Sequence, residues 1–176
     1  MSRAAEPGTG AGGGASQLYI ANRQRMKKIN ARLLQQIIVE LFQDLEITTV
    51  ELGITLVGAK EMARVNRQFL RHEGSTDVIT FDHLEKRKVE NGKQKNLHGE
   101  LFICVNDAVQ QAKEFGTSWQ SEVVRYVVHG VLHLLGHDDL QPPLRRAMKR
   151  AENRLVRRLE QRFSLAQLSR TGKIRT

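Results

Sequence analysis

The chain has 176 residues, 40% of them apolar, which is enough for one domain of ordinary size with a buried core. A single cysteine, Cys104, excludes an internal disulfide and fits a reducing cytoplasm, and no apolar run is long enough to cross a bilayer. The net charge of +9 lies at one end: residues 145–176 carry 11 Lys and Arg against two Glu, whereas residues 1–144 hold 17 of each sign.

Residues 1–16 are rich in Gly and Ala and are expected to be disordered; their glycines lack the following G-K-[ST] of a phosphate loop, and no secretory signal is expected. Leu18 to Ala21 reads as a short strand. Apolar residues at Ile29, Leu33, Leu34, Ile37, Ile38, Leu41, Phe42 and Leu45 form a helical stripe. Val50 to Val57 alternates as a strand does, and Lys60 to Leu70 reads as a second helix. Thr76 to Phe81 is a strand after the turn signal Glu73-Gly74-Ser75, and polar His83 to Leu97, with Asn91-Gly92 at its centre, is expected to be a surface hairpin or flexible loop. Gly99 to Val105 is another strand, followed by helices over Asp107 to Phe115 and Ser121 to Leu135. Pro142-Pro143 open a last helix to about Phe163, and residues 164–176 are expected to fray as a basic tail. This succession predicts an α+β layered sandwich: a mixed sheet of roughly four strands, about five helices, and one catalytic domain over residues 17–163.

Residues 129–139 read H-G-V-L-H-L-L-G-H-D-D. His129 and His133 are four apart in a predicted helix, so both imidazoles leave one face on consecutive turns. Gly136 stands where a helix commonly ends in a left-handed cap, after which Asp139 or His137 can turn back as a third donor. Two nitrogens and a third donor around an open position is how a catalytic metal is held. Two core histidines with satisfied rings are the plain alternative, but burying them mid-helix without a shared ligand is costly.

The basic C-terminal block, including Arg145, Arg146, Lys149 and Arg150, favours a polyanion such as RNA, because counterion release rewards phosphate contact. A solubilising helix face is the other reading. Phe163 alone among aromatics interleaves these charges, so base stacking is not indicated there.

The motif resembles the signature H-G-x-L-H-L-x-G-x-D-H of the YbeY family, metal-dependent endoribonucleases and rRNA maturation factors of bacteria and organelles. His129, Gly130, Leu132, His133, Leu134, Gly136 and Asp138 match it in register. The family's T-D-V-L-S-F block corresponds to Thr76–Phe81, and its G-D-I to Gly99-Glu100-Leu101, over a similarity spanning roughly residues 17–162. The resemblance implies a zinc-dependent, single-strand-specific endoribonuclease of the cytoplasm, acting in ribosomal RNA maturation and ribosome quality control, with rRNA and the small ribosomal subunit as partners. It implies His129 and His133 as ligands and a third at the last motif position, where the family's histidine is replaced by Asp139; His137 is the runner-up. A carboxylate suits zinc, although the harder donor widens the choice of metal. The family's functional arginine follows an aromatic residue in N-x-x-[YF]-R; here Asn66 and Phe69 match, Leu70 comes next, and the arginine is Arg71, with His72 beside it.

Metallopeptidases of the H-E-x-x-H type place their general base directly after the first histidine, and here that residue is Gly130. An RNA substrate needs less of the protein, since its own 2′-hydroxyl can serve as nucleophile. Arg71 is then expected to stabilise charge on phosphorus, with Asp138 as a general base, a partner orienting a ligand histidine, or a helix-end residue; Glu100 is similarly ambiguous. Two other readings remain: a non-catalytic ribosome-assembly or RNA-binding factor with a structural metal, and a small metallopeptidase.

Overall fold

In a computed structural model of the chain, residues 16–84 and 95–169 are described. The expectations for residues 1–15, for the Asn91-Gly92 turn and for residues 170–176 lie outside them. The elements run β1 (Gln17–Asn22), α1 (Ala31–Asp44), β2 (Ile47–Val57), α2 (Ala59–Val65), a π turn (Asn66–Leu70), β3 (Val78–Asp82), β4 (Lys95–Cys104), α3 (Val105–Phe115), α4 (Trp119–Leu134), α5 (Pro142–Arg162) and a 3-10 turn (Leu165–Ser169). The sheet has the order β1-β2-β4-β3, with β3 antiparallel to β4 and the other pairings parallel. It is therefore the mixed four-stranded sheet with five helices expected for an α+β fold.

Alternation decides which way each strand faces. Val50, Leu52, Ile54 and Leu56 of β2, with Leu97, Leu101 and Ile103 of β4, enter one core shared with α1, α3, α4 and α5. A smaller cluster on the opposite face joins Val57, Ile79 and Cys104 to Met62 and Val65 of α2. Cys104 is thus a packing residue, as its apolar setting suggests. No helix among the described residues is long and apolar enough to cross a membrane.

Two expectations change. Lys95 to Leu97, assigned to the polar loop, are the first residues of β4, where Leu97 is buried and pairs with Val50. Their polar neighbours conceal the strand because only every second residue meets the core. Fraying directly after Phe163 does not hold either: Leu165 and Leu168 are buried, and Leu168 O accepts a hydrogen bond from Asn30 N at 2.8 Å. Two leucines three apart suit a 3-10 turn, which aligns them on one side.

Candidate metal centre and its cleft

α4 organises the site. The Ser118 side chain caps its start, accepting from Ser121 N at 3.1 Å. Gly130 lets it approach β4 closely, since a Cβ there would lie 2.7 Å from Leu101 Cδ2. At its other end Gly136 takes φ +95°, Gly136 N donates to His133 O at 2.9 Å, and His137 N donates to Leu132 O at 3.0 Å. These paired bonds are a Schellman cap, and they turn the chain back across the last turns of α4.

The returning residue is Asp139. His129 Nε2 and His133 Nε2 are 3.1 Å apart, and Asp139 Oδ2 lies 3.8 and 3.7 Å from them. Ligand atoms about a tetrahedral ion with bonds of roughly 2.0–2.2 Å are separated by about 3.4 Å, so this triangle has the size of a divalent-metal face. Among the described residues it is the one group of three such donors that converges. His137 is not in it. Lying one residue past the glycine, it instead offers its backbone carbonyl to His133 Nδ1, at 3.1 Å.

The ring tautomers strengthen the assignment. His129 Nδ1 meets Glu152 Oε2 at 2.9 Å, and His133 Nδ1 meets a carbonyl. Both partners only accept, so each Nδ1 carries a hydrogen and Nε2 is the nitrogen that each ring can offer to a metal. Two such nitrogens and a carboxylate facing one point form a donor set that a cation satisfies.

Glu152 sits behind the triad on α5, buried, receiving Arg125 Nη1 at 2.7 Å and Lys149 Nζ at 2.9 Å besides His129. Burial alone raises its pKa, but hydrogen bonds from His129, Lys149 and Arg125 outweigh that and hold it down to about 2. In His129, burial lowers the pKa and the Glu152 hydrogen bond and charge overcome it, with Asp77 and Asp139 adding to a net upward shift.

His129 and Asp139 of the triad line a cleft of about 500 Å³ between α3, α4 and α5, together with Arg125, Arg145 and Lys149 among others. Of the four basic α5 residues named from sequence, Arg145 and Lys149 line it. Arg146 and Arg150 are exposed and are not among its lining residues, because a helical step of one residue turns them away by about 100°. Asp138 does not join the triad: its Oδ1 accepts from Leu140 N at 2.9 Å, closing the turn that presents Asp139. Glu100 lies on the sheet's more open face, 3.5 Å from His83.

Arg71 and His72 are exposed and are not among the cleft's lining residues. Arg71 ends the π turn in a left-handed conformation, φ 55° and ψ 30°. A π turn holds one more residue than an α turn, and the extra residue between Phe69 and the arginine falls within it. Sequence reading missed Glu152, Arg125 and Asp77. The available signal was Glu152 itself, one of two acids within the basic block and three residues after Lys149.

A Chlorobium luteolum protein named Endoribonuclease YbeY is 32% identical over 81% of this chain and 98% of its own length. A Salinibacter ruber protein of the same name is 30% identical over 79% of this chain and 89% of its own. A Thermotoga maritima protein solved in solution superposes with a TM-score of 0.62 at 22% identity, covering 91% of this chain and all of that one, which is a likeness of fold. The profile of the family described as Endoribonuclease YbeY matches residues 19–160, and the chain belongs to that family.

Proposed function

We propose that this chain is a zinc-dependent, single-strand-specific endoribonuclease acting in ribosomal RNA maturation and ribosome quality control in the cytoplasm, with rRNA and the small ribosomal subunit as its partners. The observation that carries the reading is the convergence of His129, His133 and Asp139, of which His129 and Asp139 line a cleft whose α5 wall presents Arg145 and Lys149. Family membership supplies the RNA substrate, and the donor set supports the cofactor: two imidazoles and a carboxylate are a combination common in catalytic zinc sites.

Bound there, a divalent ion supplies Lewis acidity and a water of lowered pKa. The chain's own residues do the rest. Glu152 and the His137 carbonyl keep the two rings in the tautomer that directs Nε2 inward. Arg145, tied to the Asp139 carbonyl at 3.0 Å, steadies the loop that carries the third donor. Lys149 brings positive charge to the cleft, where a phosphodiester gains from it electrostatically. Arg71 is proposed as a second phosphate contact from outside the cleft, with Arg146 and Arg150 extending the basic surface along α5. Asp138 is assigned to the turn rather than to proton transfer.

One feature counts against a metallopeptidase. The position after the first histidine is Gly130, packed on Leu101 in the core, where a catalytic carboxylate has no room. Cleavage of a single-stranded rRNA fragment, followed with and without chelator, tests the proposal. Zinc-restored cleavage that His133→Ala abolishes is expected; binding without turnover under every metal condition would turn the reading toward an assembly factor with a structural ion.

A further inference from the structure

The α3 side of the cleft, across α4 from the basic helix, carries one aromatic ring. Gln111 and Phe115, four residues apart on α3, face it together, while Arg145 and Lys149, also four apart, face it from α5. α4 lies between and contributes Tyr126 and His129. Resting on the endoribonuclease reading above, we propose that Phe115 is a stacking platform for an unpaired nucleobase of single-stranded RNA, next to the phosphate held on the basic wall.

A phosphate and its base project in different directions from the sugar, so a strand crossing the cleft can meet cations on one side and a ring on the other. Base–aromatic stacking tolerates any base, because each has a π face. Phe115 is 65% exposed and makes no ring–ring contact among the described residues, so its faces are available. The helix end that carries it is braced. Gly116 caps α3 at φ +66°, Thr117 N donates to Ala112 O at 3.0 Å, and Thr117 Oγ1 donates to Glu122 Oε1 at 2.6 Å. The backbone beneath the ring is thus already ordered, and binding has only the ring's own rotamers to fix. The cleft's volume is in the range of small-ligand sites and suits a nucleotide. A base committed to a duplex cannot turn into it, which gives single-strand selectivity a physical basis.

The test uses the zinc-loaded chain, its Phe115→Ala and Phe115→Tyr variants, and a short single-stranded RNA in which one abasic nucleotide is walked along the sequence. Phe115→Ala should raise KM about tenfold with kcat little changed, and Phe115→Tyr should restore it. Anisotropy of the labelled RNA with chelated protein should show the same loss of affinity, independent of turnover. In the wild type one abasic position should reproduce the defect, and combining it with Phe115→Ala should add little more. An unaltered KM and affinity in Phe115→Ala, or losses that add in full, would overturn the inference while leaving the nuclease reading intact. A Phe115→Ala chain with normal RNA affinity but lost association with a protein partner would equally overturn it. A wild-type chain that neither binds nor cleaves RNA would sink both readings.

Discussion

His129 Nδ1 and Glu152 Oε2 stand 2.9 Å apart, joining a proposed metal ligand on α4 to a buried carboxylate on α5. The carboxylate is anchored in turn by Arg125 and Lys149, so the ring is held from behind by a charged network. Partners of this kind typically account for 10–100-fold in metal affinity. Glu152→Gln, which keeps the shape and removes the charge, should weaken zinc binding by about that factor in a chelator competition titration. Unchanged affinity would mean that the helix alone orients the ring.

The same carboxylate should make the chelated protein acid-sensitive. Its pKa is held to about 2 in the fold against 4.5 ordinarily, so its stabilising contribution is complete above about pH 4.5 and drains away as pH falls toward 2. The full shift corresponds to roughly 3 kcal/mol. His129, shifted upward from 6.5, acts in the opposite sense: its contribution is complete below that value and is lost as pH rises through the folded pKa. Urea midpoints between pH 2.5 and 7 should therefore fall on the acid side in the wild type and fall less in Glu152→Gln. Parallel profiles would contradict the network.

Much of this was legible in one dimension, for identifiable reasons. His129, His133 and Gly136 lie within one helix and its cap, where spacing dictates direction, so the two rings and the returning chain could be placed from sequence. Asp139 completes the triad because three residues past the glycine suffice for the chain to double back. Glu152 and Arg125 were not legible, since their meeting depends on how α5 packs across α4. Phe115 was missed for the same reason: it lies 30 residues before Arg145 in sequence, and only the packing of α3 and α5 about α4 brings both to one cleft. Lys95–Leu97 looked like loop because a strand with one buried residue in three has little periodicity to show.

The third ligand can be decided by exchange. Asp139→Ala should lose most zinc affinity, whereas His137→Ala should keep it, because His137 offers His133 its backbone carbonyl, which the substitution preserves. Asp139→His should bind zinc at least as tightly as the wild type, three imidazoles being an established catalytic set. Zinc content after dialysis at fixed free metal reads all three, and a metal-depleted His137→Ala would reverse the assignment.

Gly130 should resist even the smallest side chain. Alanine is favoured over glycine in a helix by about 1 kcal/mol. Here, however, its Cβ would press to 2.7 Å from Leu101 Cδ2 in a closed core. Overpacking of this kind costs about 1–3 kcal/mol, so Gly130→Ala should be neutral to destabilising by up to about 2 kcal/mol in urea unfolding. A clear gain in stability would show that Leu101 yields freely.

Two truncations should separate charge from packing at the C-terminus. Removing residues 170–176 takes away Arg170, Lys173 and Arg175 and should lower the salt-dependence slope of RNA binding by at most about 2. Removing residues 165–176 also strips out buried Leu165 and Leu168, and should cost several kcal/mol of stability, about 2–5 per buried leucine at most. Equal stability of the two truncations would contradict the packing of the 3-10 turn.

X-ray absorption at the zinc edge, on stoichiometrically loaded chain, reads the coordination shell itself. Two imidazoles with oxygen donors at about 2.0–2.1 Å and no sulfur are expected in the wild type, and one imidazole fewer in His133→Ala where any zinc remains. A chain that takes up no zinc, or a shell unchanged by loss of His133, would contradict the centre on which the proposed activity depends.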